Sequence, residues 1–104
     1  PGWIVVTQVV GDAPPSLDDP MSSSREDYAA CCCAVQNLCL SLHSEGLGTK
    51  WTTGPVNFHP LFCDTAGIPA GEMVVGTLWF GTPAAAPAVP SRRMSVDDVM
   101  VMHD

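Results

Sequence analysis

The chain has 104 residues, 46% hydrophobic and 14% charged, with four basic residues against eleven acidic ones and a formal charge of −7. That length sets a limit of one domain with a modest core, and the composition is that of a globular chain, not a disordered one. The acidic balance excludes a basic face for nucleic acid and disfavours docking on an anionic membrane, and no apolar run reaches the roughly 18 residues that would span a bilayer.

Trp3 to Val10, WIVVTQVV, is rich in β-branched and aromatic residues and reads as a buried strand. Nothing ahead of it has the form of a signal or transit peptide. Gly11 to Pro20, GDAPPSLDDP, reads as a loop held extended by its prolines. Ser23-Ser24-Arg25-Glu26 has the form of a capping box, in which Ser and Glu satisfy each other's free backbone donors. A helix is predicted from about Ser24 to Glu45, stopped at Gly46 by a left-handed C-cap. At 1.5 Å per residue it would be about 33 Å long, the width of a small domain.

The composition of that helix raises a packing problem. Tyr28, Cys31, Cys32, Val35, Leu38, Cys39 and Leu42 recur at helical spacing and form one apolar face. Ala29, Ala30, Cys33 and Ala34 form a second face of small residues, suited to close approach by another backbone or a flat ligand. Further on, Leu47 to Val56 reads as a glycine-punctuated loop and Asn57 to Ala66 as a short helix ended by Gly67 and Pro69. Glu72 to Phe80, EMVVGTLWF, reads as a second strand, with Gly76 marking a bulge or a close backbone contact. Pro83 to Pro90 is an extended surface segment, and MSVDDVMVMHD closes the chain as a short strand or tail. Two strands cannot cover both sides of such a helix, so further chain or a partner subunit is expected to cover the second face.

Five cysteines, three of them adjacent, do not make a disulfide framework, because neighbouring helical residues diverge and an odd count leaves one over. A reducing compartment, cytoplasm or organelle interior, is the expectation. Cys32, Cys39 and His43 share one helical face, but a closed zinc site wants four ligands and no fourth is evident, so core packing is expected and no metal site. His59 before Pro60 reads as structural.

Three stretches in this order resemble the second half of the nitroreductase family of FMN-dependent NAD(P)H oxidoreductases. They are PGWIVVTQ, EDYAACCCAVQNLCLSLHSEGLGTKWTTGPV and AGIPAGEMVVGTLWFGTP, followed by AVPSRR as a C-terminal basic element. The resemblance implies an α+β fold, with residues 1–104 as the C-terminal part of a single nitroreductase-like domain. It further implies a homodimer, or a subunit of a larger complex, in which the long helix packs at the interface and both subunits form the flavin groove. FMN would take electrons from NAD(P)H and pass them to a nitroaromatic, quinone or similar acceptor. Carried over residue by residue, Lys50, Trp51 and Thr52 occupy the post-helix segment that contacts FMN, and Arg93, with Arg92, matches the basic residue that pairs with the FMN phosphate. Position 52 is Thr where many relatives have Arg. The helix segment Leu40 to Glu45 corresponds to the approach of the nicotinamide. Considered alone, Lys50 reads as a solvated loop lysine, Trp51 as a plug under a loop and Arg92-Arg93 as an exposed tail pair. No residue stands out as a catalytic acid, base or nucleophile, since hydride transfer belongs to the flavin. The family's N-terminal contacts are not among these residues, which leaves a second reading: a shortened, inactive accessory or structural subunit.

Overall fold

A computed structural model describes residues 1–10 and 23–103. Its elements follow the chain as strand β1 (Gly2–Val9), helix α1 (Ser23–Ser44), strand β2 (Gly48–Thr52), a 3-10 turn (Pro55–Phe58), helix α2 (Pro60–Ala66) and strand β3 (Glu72–Gly81). The fold is α+β, as the resemblance implied. The loop expected at 11–20 lies outside the described residues, as does the Ser23 side chain of the expected capping box.

Helix α1 ends as its sequence dictates. Gly46 adopts φ 79°, a left-handed conformation that costs a glycine little. This lets the Leu47 and Gly46 amides return to the carbonyls of Leu42 (3.0 Å) and His43 (2.9 Å), two acceptors the helix leaves free. The predicted apolar face is the packed one. Val35 is 2% exposed, while Tyr28, Cys31, Cys32, Leu38, Cys39 and Leu42 are half-buried. Ala29, Ala30, Cys33 and Ala34 are exposed.

Residues 48–52 correct the expectation of a loop. GTKWT is a strand, and among the described residues the sheet has three strands where two were read from the sequence. Thr and Trp suit a pleated surface, and pairing with β3 supplies the ladder that five residues between glycines cannot advertise by themselves. The strand order is β1-β3-β2, with both pairings antiparallel. The short helix expected at 57–66 is also divided. Pro60 forces His59 to extended dihedrals (φ −79°, ψ 131°), which breaks the run into a 3-10 turn and α2. His59 then caps α2, its Nδ1 accepting from the Leu61 amide at 3.2 Å, which is the structural role read for it.

Central strand β3 carries the core: Leu78 is 0%, Val75 1% and Val74 4% exposed. Between Val6/Thr7 the register slips, so that Val6 opposes Gly76 and Thr7 opposes Val74, a bulge beside the glycine that predicted one. The close contact is present as well. A Cβ built on Gly76 would lie 2.2 Å from Trp51 Nε1, so the indole crosses β3 where only a hydrogen fits.

Alternation assigns the faces of the sheet. Gln8 Nε2 donates to the Ser24 carbonyl at 2.8 Å, which puts α1 on the face of Gln8, Val6 and Ile4, together with Leu78 and Trp51. The opposite face presents Trp3, Val5, Thr77, Trp79, Lys50 and Thr52. There the 3-10 turn and α2 cover only part of the sheet. The Cα radius of gyration is 17.1 Å, against about 13 Å for a compact domain of this length. Among the described residues no helix is long and apolar enough to cross a membrane.

Candidate functional site

The open sheet face carries a row of three side chains contributed by all three strands. Trp3 pairs with Trp79, and Trp79 pairs with Lys50. The two indoles stack with centroids 6.3 Å apart and planes inclined by 28°, and Phe62 of α2 tilts against Trp3 at 6.1 Å. Trp3 and Trp79 each remain about half exposed. The result is a flat aromatic platform with one ammonium at its edge. A groove of 540 Å³ runs along the strand ends, lined by Trp3, Lys50, Trp79 and Phe80 with the backbones of Gly48 and Gly81. Beyond the tryptophans lies a cavity of 310 Å³, walled by Trp3, Val56, Phe62 and Trp79, with Thr52, Asn57 and Thr77 as its polar lining.

A buried polar network holds that cavity's floor. Asn57 is 2% and Thr77 3% exposed. Asn57 Nδ2 donates to the Thr52 carbonyl at 3.0 Å, Thr77 Oγ1 donates to Asn57 Oδ1 at 3.1 Å, and Thr52 Oγ1 donates to the Thr77 carbonyl at 3.1 Å. Each buried group thus has a partner, and the 3-10 turn is pinned to two strands at once.

The expected contact residues do not stay together. Lys50 and Thr52 point to the platform face, and Trp51 points to the α1 face, because a strand sends successive side chains to opposite sides. Lys50 lines the groove and Thr52 the cavity. Arg92 and Arg93 are exposed in the segment after β3 and line neither. Within Leu40–Glu45, only His43 lines a depression, one shared with Gly48, Thr49, Pro83 and Pro87. Trp3, Trp79 and Asn57 were not singled out from the sequence. The alternation in WIVV and GTLWF is the signal that carries the two tryptophans, whereas nothing local marks Asn57.

The described cysteines are all free thiols. Burial, followed by the neighbouring Cys32, pushes the Tyr28 phenol above its ordinary pKa. Among the described residues no group of three His, Cys, Asp or Glu side chains is gathered to hold a metal ion.

Residues 5–82 match the family model described as the Nitroreductase family. The chain belongs to the nitroreductase family. The chain is similar in structure to the crystal structure of a nitroreductase-like family protein from Bacillus cereus, which is 32% identical and superposes with a TM-score of 0.76 over 98% of this chain and 50% of that one. The chain therefore spans about half the length of that relative. No curated protein matches it. Matched residues 5–82 include Trp79, Lys50, and all of α1 and β2, whereas Trp3, Arg92 and Arg93 lie outside them.

Proposed function

We propose that this nitroreductase-family chain is the C-terminal part of a single oxidoreductase domain that binds FMN, takes electrons from NAD(P)H and passes them to a nitroaromatic, quinone or similar small acceptor. The observation that carries this reading is the row Trp3–Trp79–Lys50 on an open face: a flat apolar platform edged by one cation suits a planar ligand with an anionic end. The residues fit one wall of a flavin site. Lys50 would meet negative charge on the ligand, Thr52 would face the same side, and the Gly48 and Gly81 backbones line the groove with no side chain in the way. When bound, FMN supplies the hydride and electron transfer, and these residues contribute placement and electrostatics. Phosphate ordinarily takes several charge-assisted donors, and this wall supplies one. Arg93 and Arg92 are proposed as the remaining cations, brought in by the segment after β3, and Trp51 as a prop beneath β2. The second wall is proposed to come from a homodimeric partner or a larger complex, in keeping with the exposed alanine face of α1. The free cysteines support a reducing compartment, cytoplasmic or inside an organelle.

A specific observation favours the second reading, an inactive accessory subunit. Lys50, Trp51 and Thr52 split across two faces, and both arginines stand outside the groove. One experiment separates the two. Native protein that is yellow and releases FMN on denaturation supports the oxidoreductase, and Lys50→Ala should then weaken FMN binding roughly tenfold, the size of one charge-assisted contact. Colourless protein that elutes only with other subunits and takes up no added FMN supports the accessory role.

A further inference from the structure

The segment after β3 holds two of the chain's four basic residues side by side, in a protein of net charge −7. Arg92-Arg93-Met94-Ser95-Val96 places a serine three and two residues after the arginines and one residue before an apolar side chain. All five residues are exposed, and none lies in a helix or strand. Among the described residues neither arginine has an ion-pair partner, and both side chains are exposed to solvent.

We propose that Ser95 is a phosphorylation site for a protein kinase that recognises arginines. Such an enzyme offers carboxylates that meet two guanidinium groups, a cleft that takes an extended segment with its acceptor hydroxyl, and an apolar recess for the next residue; residues 92–96 present the two arginines, the serine and the valine that match these, in that order. Ser95 Oγ forms a bond to the γ-phosphorus of magnesium-ATP, the bond from that phosphorus to the β,γ-bridging oxygen breaks, ADP leaves, and the hydroxyl proton passes to a carboxylate of the kinase.

The structure also shows what the modification would change. Ser95 Oγ donates to Asp98 Oδ2 at 2.8 Å, the Ser95 amide donates to the same oxygen at 2.9 Å, and the Asp98 amide donates back to Ser95 Oγ at 3.2 Å. These bonds hold the Asp98 carboxyl below its ordinary pKa, the backbone bond contributing most, so it is ionised at neutral pH. A phosphoserine brings a charge of about −1.5 to −2 to that oxygen. Repulsion from Asp98 opens the turn, and Arg92 and Arg93 become the nearest partners for the phosphate. The modification thus ties up the one basic pair of the segment.

The full chain incubated with magnesium-ATP and an arginine-directed serine kinase should gain one phosphate, placed on Ser95 by peptide fragmentation, and Ser95→Ala should abolish it. Arg92→Ala and Arg93→Ala should each slow incorporation roughly tenfold, the loss of one charge-assisted contact in the cleft. Asp98→Asn, which weakens the hold on the hydroxyl, should leave the rate equal or raise it. No phosphate at Ser95, or incorporation there that ignores both arginines, overturns the proposal. So does a rate that collapses with Asp98→Asn, which would indicate a kinase reading acidic residues. None of these outcomes depends on FMN binding.

Discussion

The contact between Gly76 and Trp51 can be tested to the ångström. In Gly76→Ala the new Cβ would sit 2.2 Å from Trp51 Nε1, 2.8 Å from Trp51 Cδ1 and 3.1 Å from the Thr52 carbonyl oxygen. Ordinary heavy-atom contact begins at about 3.5 Å, so the indole must retreat by roughly 1.3 Å or swing outward. Trp51 is already 37% exposed, so a swing is open to it, at the cost of contact with β3. If about 60 Å² of its ring returns to water, the loss is about 1.5 kcal/mol, within the 1–3 kcal/mol range of overpacking. Against this, alanine recovers about 0.5–1 kcal/mol of glycine's backbone entropy. The net expectation is a destabilisation of about 0.5–1 kcal/mol, read as a drop in melting temperature of about 2–8 °C or a matching fall in the urea midpoint. The decisive comparison is a double-mutant cycle. In a Trp51→Ala background the clash with the indole is gone and only the 3.1 Å approach to the Thr52 carbonyl oxygen remains, so the cost of Gly76→Ala should shrink. Equal cost in both backgrounds would show that the indole does not lie over Gly76.

Further outcomes follow from the packing and the hydrogen bonds. Asn57→Ala leaves the Thr77 hydroxyl and the Thr52 carbonyl without their partner and should cost about 2–4 kcal/mol in chemical denaturation, and a loss under about 1 kcal/mol would deny the network any structural weight. Val35→Ala should cost about 1.5–3 kcal/mol, whereas Ala34→Arg, on the exposed side of α1, should change the stability of the single chain by no more than about 0.5 kcal/mol. Sedimentation then checks the proposed interface, because Ala34→Arg should dissociate a dimer built on that face and an unchanged dimer would place the interface elsewhere. Finally, because the Asp98 pKa is lowered in the folded chain, the Ser95–Asp98 turn should be fully present above the ordinary carboxylate range and be lost as pH falls through that lowered value. The Ser95 amide shift in an acid titration checks this, and a shift that never moves, or moves near neutral pH, would contradict it.

What could be read ahead of the structure follows from how far each signal extends along the chain. Helix α1 was legible because seven residues from Tyr28 to Leu42 repeat one period and a glycine stops them, and the structure packs that face and no other. Gly76 was legible for a similar reason, since a glycine inside a strand pattern needs an explanation and the bulge and indole supply it. Strand β2 was not. Five residues between glycines hold too little alternation to outweigh turn chemistry, and their conformation is settled by a partner strand some 25 residues later, as the Thr52–Thr77 bond shows. That difference bears on how the site can be arranged. A loop would allow Lys50, Trp51 and Thr52 to converge on one ligand, and a strand forbids it. Asn57 had no local signal at all, because its burial requires a carbonyl and a hydroxyl from two strands to meet at its amide.

The arrangement of open faces puts assembly and binding on opposite sides of the sheet. The exposed alanines of α1 look away from the sheet on one side, and the Trp3–Trp79–Lys50 row looks out from the other. With the sheet between them, one flat partner cannot cover both. A second copy docked helix to helix would bury the small residues, whose short side chains let backbones approach closely, and would leave the tryptophan platform open to a ligand or to another stretch of protein. Because the second wall of the flavin site is proposed to come from the partner, a substitution on the helix that dissociates the dimer should also weaken what Lys50 binds, whereas a substitution at Lys50 should leave the oligomeric state unchanged. If a substitution at Lys50 does alter the oligomeric state, then the partner reaches around the sheet edge, and the edge nearest Lys50 is β2, whose outer backbone groups have no strand beside them among the described residues.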